Sequence, residues 1–361
     1  MRVLLAGGGT AGHTSPLIAT ADALRRRVRD VEICCLGTER GIESRVIPAA
    51  GYRLELIAPV PLPRRLSTEL LRVPSRLRDA VTSTRRVIDS FRPDVVVGFG
   101  GYVSTPAYLA ARRARVPIVV HEGNALPGIA NRFGARFCTR HVATSFPDTK
   151  LEHARYVGLP IRRSISTLDR AELRPLARAH FGLEQELPTL LVTGGSQGAK
   201  RINDSVAACV ADFAAAGVQV LHVSGPKGVV DVASDKGVGD PPYVVVPYVD
   251  RMELAYAAAD AAIGRCGANS VTETASLGLP AVFVPLPIGN GEQALNARAV
   301  VEAGGAMLVE DREFTPQWVR QHVPAMVTDT PRLVAMSRAS SGLIPRDADD
   351  ALAAMIIDAG Q

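Results

Sequence analysis

Short apolar runs alternate with amphipathic stretches through both halves of the chain. In the first half, Val3–Ala6, Val31–Leu36, Asp94–Gly98 and Ile118–His121 read as buried strands. Between the first two, Leu17, Ile18, Ala21 and Leu24 share one face of a predicted helix over Thr14–Val28. The pattern restarts after a polar joint near Gly158–Leu173. Strands are predicted at Thr189–Thr193, Val218–Val223, Val244–Pro247, Ala261–Ile263 and Ala281–Val284. Helices over Asn203–Ala216, Arg251–Ala259, Ser270–Leu277 and Glu292–Ala303 fall between them. Strand–helix–strand alternation predicts parallel, helix-covered sheets. The expectation is an α/β protein of two doubly wound, Rossmann-like domains facing each other across a cleft. The first spans 1–163 and the second 164–345, with a helix in 346–361 packing back on the first. Ligands are expected beyond the carboxyl ends of the strands.

The length of 361 residues fits two domains, and 47% hydrophobic residues exclude a wholly disordered chain. The five cysteines are odd in number and form no C-x-x-C pair, which argues for a reducing compartment and against a zinc site. No export signal is expected, and the uncharged runs Val95–Ala111 and Thr274–Gly291 are too broken by Gly and Pro to span a membrane. Charge changes the picture more. Residues 1–163 carry +13 and residues 164–361 carry −8. Within the first half, Pro59–Arg86 holds seven arginines interleaved with Leu66, Leu70, Leu71, Val73, Leu77 and Val81. Basic residues mixed with apolar ones point to an anionic membrane surface. The stretch has no aromatic, which argues against nucleic acid.

Candidate chemistry clusters at strand ends. The first strand runs into Gly7-Gly8-Gly9-Thr10-Ala11-Gly12-His13, a loop that lets backbone approach a ligand and aims a helix N-terminus at an anion. Gly7, Gly9 and Gly12 also match the dinucleotide fingerprint, whose ribose-binding acid is here represented only by Glu32 or a displaced Glu39. Thr193–Ala199 is a second glycine loop. His121-Glu122-Gly123-Asn124 ends a strand, where α/β proteins place catalytic groups. Arg265 is a candidate phosphate contact, Glu273 an acceptor for ribose hydroxyls, and Gln293 and Asn296 partners for sugar hydroxyls. No D-x-D motif lies at a strand end, so no metal and no cofactor are expected; Asp347–Asp350 reads as charge at a helix N-terminus.

Taken in order, Gly8-Gly9-Thr10-x-Gly12-His13 with Pro16, His121-Glu122-x-Asn124 with Asn131, Gly194–Gly198, Arg265-x-Gly267-Ala268 with Glu273, and Gln293 before Asn296 resemble the MurG family of peptidoglycan glycosyltransferases. The resemblance covers nearly the whole chain. It implies a GT-B fold and inverting transfer of N-acetylglucosamine from UDP-N-acetylglucosamine to lipid I, undecaprenyl-diphospho-N-acetylmuramoyl-pentapeptide. It further implies a peripheral protein on the cytoplasmic face of the cell membrane, serving cell-wall synthesis, cell shape and division. By position, Thr10, Ala11, Gly12, Asn124, Arg162, Ser196, Gln293 and the turn Ala268, Asn269, Ser270, Val271, Thr272, Glu273 match donor contacts. Val249 matches a residue whose backbone meets the uracil, and His13, Glu122 and Asn131 match acceptor-side and catalytic positions. Cys266, Asn269, Ser270 and Thr272 depart from the expected nucleotide turn, as does Ser15 before Pro16.

The chemistry needs a base for the acceptor hydroxyl and stabilisation of the UDP leaving group. The base is His13 or Glu122, and residue type alone does not choose. The competing classes are an NAD-dependent oxidoreductase, a UDP-sugar epimerase, a related glycosyltransferase for another lipid or natural product, and a non-catalytic membrane-surface module. The second glycine loop argues against the first, the basic-apolar stretch against the second, and retained His13, Glu122 and Gln293 against the last.

Overall fold

A computed structural model describes the chain apart from Arg40, residues 61–72, Ser196, Gln197, residues 233–238 and Gly289. It divides into one unit of Met1–Arg162 with Arg346–Gln361, and a second of Arg163–Pro345. The first carries 26 basic and 17 acidic residues, the second 15 and 19.

In the first unit the order is β1 (Arg2–Gly7), α1 (Ala11–Arg27), β2 (Glu32–Gly37), α2 (Glu43–Ala49), β3 (Arg53–Leu56), α3 (Val73–Phe91), β4 (Val95–Gly100), α4 (Ser104–Ala114), β5 (Ile118–Glu122), α5 (Ile129–Phe137), β6 (His141–Thr144) and β7 (Ala154–Tyr156). The strands form one parallel sheet in the order β3-β2-β1-β4-β5-β6-β7. Side chains alternate across the pleat, so β1 sends Val3 and Leu5 to one face and Leu4 and Ala6 to the other. Both faces are apolar, which requires helices on both. Leu17 and Leu24 of α1 cover one face, and Ala80 and Ile88 of α3 with Tyr108 of α4 cover the other.

The second unit follows as α6 (Arg163–Ser166), α7 (Arg170–Phe181), β8 (Thr189–Thr193), α8 (Lys200–Ala207), α9 (Val210–Ala215), β9 (Gln219–Val223), β10 (Tyr243–Val246), α10 (Met252–Ala258), β11 (Ala261–Gly264), α11 (Ala268–Ser276), β12 (Ala281–Phe283), α12 (Glu292–Glu302), β13 (Ala306–Leu308), α13 (Pro316–Thr328) and α14 (Thr330–Ser340). Its parallel sheet runs β10-β9-β8-β11-β12-β13. Leu190, Val192, Val220 and Ile263 pack against Ile202, Val206, Val319 and Val323. The final helix, α15 (Ala348–Ala359), belongs to the first unit: Leu352 and Ile356 join its core, and Asp349 pairs with Arg26 of α1 at 2.5 Å.

One expectation needs correction. The helix predicted over Asn203–Ala216 is two helices, broken at Ala208-Cys209, where the Cys209 thiol bonds the carbonyls of Ser205 and Pro316. No glycine or proline marks that break. In the described part of the basic stretch, the apolar side chains serve the core: Val81 is buried, and Val73 and Leu77 pack on the same cluster. Arg78 and Arg86 of α3 remain exposed, and Arg85 pairs with Asp89. Arg64, Arg65, Arg72, Leu66, Leu70 and Leu71 lie outside the described residues. No described helix is long and apolar enough to cross a membrane.

Candidate active site

The loop from β1 to α1 is organised by a residue the sequence does not advertise. Glu43, at the start of α2, is fully buried and accepts hydrogen bonds from Gly9 N (2.8 Å), Thr38 N (3.0 Å) and Thr38 Oγ1 (2.8 Å). A protein carboxylate therefore already occupies a backbone N–H that a dinucleotide pyrophosphate would seek. The acids weighed for ribose binding do not join it: Glu32 is exposed beside Arg2, and Glu39 makes no bond to the loop among the described residues.

His13, half-buried in the first turn of α1, lies beside this loop. Its Nδ1 is 3.1 Å from the Gly8 carbonyl and 3.2 Å from Thr10 Oγ1. A carbonyl only accepts, so Nδ1 carries the proton and Nε2 keeps its lone pair. Nε2 faces Gly100 at the end of β4, where a Cβ would stand only 3.0 Å away. At φ +98° that position favours glycine in any case. Burial holds the imidazole below its usual pKa, with the Gly8 bond and the Glu43 charge opposing more weakly. Thr10 and Gly12 are exposed on the same turn, with Ala11 half-exposed between them.

Glu122, at the end of β5, is 2% exposed. It accepts from Asn124 N (2.9 Å), Gly128 N (2.9 Å) and Asn131 Nδ2 (3.0 Å). Burial raises its pKa, and those bonds pull the other way. Asn131 is itself buried, donating also to the His121 carbonyl and accepting from Tyr108 Oη at 2.7 Å. His121 is buried and lowered to about 4 by desolvation. Asn124 and Arg162 are half-exposed. The structure thus brings Glu122, Asn124 and Asn131 into one bonded group.

In the second unit, β8 leads into Gly194 and Gly195, while Ser196 and Gln197 lie outside the described residues. A Cβ on Gly198, whose φ is +74°, would fall 2.6 Å from the Ser224 carbonyl. A neutral chain supports that carbonyl. Asn203 Nδ2 donates to it at 2.8 Å, Asn203 Oδ1 lies 3.1 Å from His222 Nε2, and His222 Nδ1 lies 2.8 Å from Tyr243 Oη.

The turn into α11 places Ala268, Asn269, Ser270, Val271 and Thr272 at a helix N-terminus, a favourable position for phosphate. Glu273 Oε2 accepts from Tyr256 Oη of α10 at 2.7 Å, which fixes the carboxylate's direction. Arg265 is more engaged than its sequence position suggests. Its Nη1 donates to Asp311 at 2.6 Å and to the carbonyls of Val284 and Pro285, and Arg201 pairs with the other oxygen of Asp311. Gln293 Oε1 accepts from Leu286 N at 3.0 Å, Asn296 is buried with its amide 3.4 Å from the Cys266 carbonyl, and Val249 is buried. Sequence reasoning missed Glu43, Tyr108, Tyr256 and Asp311. Each is remote along the chain from the loop it holds, and no local spacing could have found it.

Two Rossmann-like units, each with a glycine-rich strand-to-helix turn, fit the GT-B fold, and the family matches place the chain in the class of glycosyltransferases. Residues 3–143 match the glycosyltransferase family 28 N-terminal domain, and residues 189–352 match the family's C-terminal domain. A protein of Nocardioides sp. is 63% identical, covering 100% of this chain and 98% of its own. One of Streptomyces avermitilis is 55% identical over 99% and 98%. Both are named UDP-N-acetylglucosamine–N-acetylmuramyl-(pentapeptide) pyrophosphoryl-undecaprenol N-acetylglucosamine transferase. The crystal structure of Acinetobacter baumannii MurG is similar at 27% identity and a TM-score of 0.79, covering 99% of each chain. The glycosyltransferase of kitacinnamycin shares the fold, at 17% identity and a TM-score of 0.70 over 100% and 99%. The chain belongs to the MurG family, within glycosyltransferase family 28.

Proposed function

We propose that this protein transfers N-acetylglucosamine from UDP-N-acetylglucosamine to lipid I, with inversion, forming lipid II for peptidoglycan. The observation that carries this reading is identity of 63% across the whole chain with a relative bearing that name. UDP binds chiefly through the second unit, with the α11 N-terminus at the diphosphate and Glu273, held by Tyr256, at the ribose. Ser196, Gln293, Asn296 and the Val249 backbone complete the donor site, and Thr10, Ala11, Gly12, Asn124 and Arg162 contribute from the first unit. Arg265 supplies positive charge near the turn, tempered by Asp311.

His13 is the base. Its Nε2 lone pair takes the proton of the acceptor sugar hydroxyl as that oxygen bonds the anomeric carbon. The bond from that carbon to the UDP oxygen breaks, and UDP leaves with the electron pair. Support for His13 over Glu122 comes from access: Glu122 is buried and already accepts three hydrogen bonds, so it positions the Asn124 loop and Asn131. Acceptor contacts fall on His13, while Asn131, buried with both ends of its amide engaged, serves the acceptor side by positioning Glu122 and the end of β5. The net positive first unit holds the enzyme peripherally on the anionic cytoplasmic face of the membrane, where the lipid-linked acceptor lies. Nucleic acid has no part in this reading.

UDP release measured with and without lipid I tests the reaction. Release that requires lipid I is expected, and lipid-independent turnover would favour an epimerase or hydrolase. Vesicle co-sedimentation tests the membrane reading. Binding should rise with anionic lipid, fall with salt, and drop when Arg64, Arg65, Arg72 and Arg76 become glutamate. Insensitivity to all three would overturn it.

A further inference from the structure

A cavity of about 720 Å³ opens in the second unit beside Leu187 and Pro188, Asp260 and Pro280, the residues that lead into β8, β11 and β12. It therefore lies at the amino-terminal end of that sheet, opposite the glycine loops, and strand β8 alone separates the two ends by about 15 Å. Arg170, Arg174 and Arg178 recur every four residues along α7 and line one wall, and Arg338 of α14 adds a fourth guanidinium. Only two carboxylates, Asp260 and Glu186, line the same space.

The charges do not balance. Asp260 accepts from Arg174 at 2.6 Å, from Arg178 at 2.8 Å and from Thr189 N at 2.8 Å, so its two oxygens are already engaged. Arg170 donates only to the carbonyls of Tyr256 and Ala259, and neither it nor Arg338 forms an ion pair among the described residues. Burial, and then the neighbouring Arg174, push Arg170 down to about 10, with the Asp260 charge opposing. The remaining wall mixes the apolar side chains of Val327, Leu333 and Val334 with the polar ones of Thr330, Ser337 and Gln185. A space of this size accommodates a ligand of nucleotide dimensions.

We propose that this cavity binds a soluble organic phosphate: a doubly charged phosphate group against Arg174, Arg170 and Arg338, and an apolar or planar portion against the α14 wall. Forked guanidinium groups suit phosphate oxygens better than a single ammonium does. A lipid headgroup shares the phosphate chemistry, but the second unit carries net negative charge, which disfavours approach to an anionic bilayer. The site is distinct from the donor turn around Glu273.

Calorimetric titration of the full chain with inorganic pyrophosphate tests this. Binding is expected both without UDP and with saturating UDP filling the donor site, and should weaken at least about tenfold in Arg174→Ala and in Arg338→Glu, since each removes a charge-assisted contact. Arg338 is exposed and Asp260 keeps Arg178 and Thr189 without Arg174, so both variants should fold, which thermal unfolding checks. No binding at millimolar pyrophosphate, or equal affinity in Arg174→Ala and Arg338→Glu, would overturn the proposal. So would loss of binding in the presence of saturating UDP, which would place the pyrophosphate in the donor site. Co-sedimentation with phosphatidic acid vesicles separates the sources: vesicle binding abolished by Arg338→Glu, without pyrophosphate binding, would replace the soluble ligand with a headgroup.

Discussion

The two glycine loops start from the same motif and end in different electrostatic states. In the first unit a buried carboxylate, Glu43, closes the loop from inside, and a second, Glu122, closes the loop after β5. In the second unit the corresponding turn packs at Gly198 on the Ser224 carbonyl, which a neutral chain of Asn203, His222 and Tyr243 supports, and no carboxylate bonds the turn among the described residues. In the second loop Gly195 N donates to Thr193 Oγ1 and Gly198 N to the Gly195 carbonyl, so the loops differ in bonded carboxylate charge rather than in free N–H groups. This contrast supports assigning the donor diphosphate to the second unit. It also supports placing a neutral histidine base and the acceptor contacts on the first.

The sharpest way to break that division is His13→Ala. Turnover should fall by about 10²–10⁴-fold while UDP affinity by calorimetry stays near the parent's. The pH profile adds a second readout. The base form of His13 is the neutral one and its pKa is held below 6.5, so kcat/KM should be flat above pH 6.5 and decline as pH falls through the lowered value. A rate within tenfold of the parent would move the base to Glu122.

Next in size is Glu43→Ala. It leaves Gly9 N, Thr38 N and Thr38 Oγ1 without their acceptor in a buried place. A loss of about 3 kcal/mol is expected, roughly 6–12 °C in Tm. Asn203→Ala removes a neutral brace and should cost about half as much. Equal costs would show that the two loops are held equally firmly, and the contrast would carry no functional weight.

How much of this was legible follows from where the signals lie. Val3, Leu5, Val95 and Val97 are in central strands buried on both faces, and such strands read as continuous apolar runs. The edge strands β3 and β7 escaped notice: Arg53–Leu56 is only partly covered and Ala154–Tyr156 is exposed throughout, so neither carries an apolar run. At the site, His13, Glu122 and Glu273 were readable because they follow strand ends or glycine turns. Glu43 was not, because Gly9 meets it only after β1 and β2 pair, and its local bonds to Thr38 carry no sign of that link. Arg265 was read as a phosphate contact without Asp311, which lies 46 residues on and takes its Nη1.

A smaller effect sharpens the donor assignment. Glu273→Ala should weaken UDP binding by about 1–3 kcal/mol, the range for a hydrogen bond to a charged group. Tyr256→Phe keeps the carboxylate but frees its direction, and should cost less, about 0.5–1.5 kcal/mol. Unchanged affinity in Glu273→Ala would remove the ribose contact from the second unit.

An effect of similar, modest size tests the neutral brace itself. His222 is fully buried, and desolvation lowers it to about 4 from an ordinary 6.5. Because Asn203 Nδ2 already donates to Ser224, its Oδ1 must accept from His222 Nε2, and Nδ1 then accepts from Tyr243. Both ring nitrogens are thus engaged in the neutral form, and protonation would take Nδ1 from Tyr243. Between pH 4 and 6.5 the unfolded chain binds a proton that the folded chain refuses, so stability falls as pH drops through that window. From pH 7.5 to 5.5 this one group should remove about 1.3 kcal/mol from unfolding. Gln at this position has both a donor and an acceptor but does not titrate. Urea unfolding of the parent and His222→Gln at both pH values should therefore show the parent losing about 1.3 kcal/mol more. A parallel loss in the two proteins would mean that His222 is not held neutral, and that the second loop does not rest on an uncharged chain.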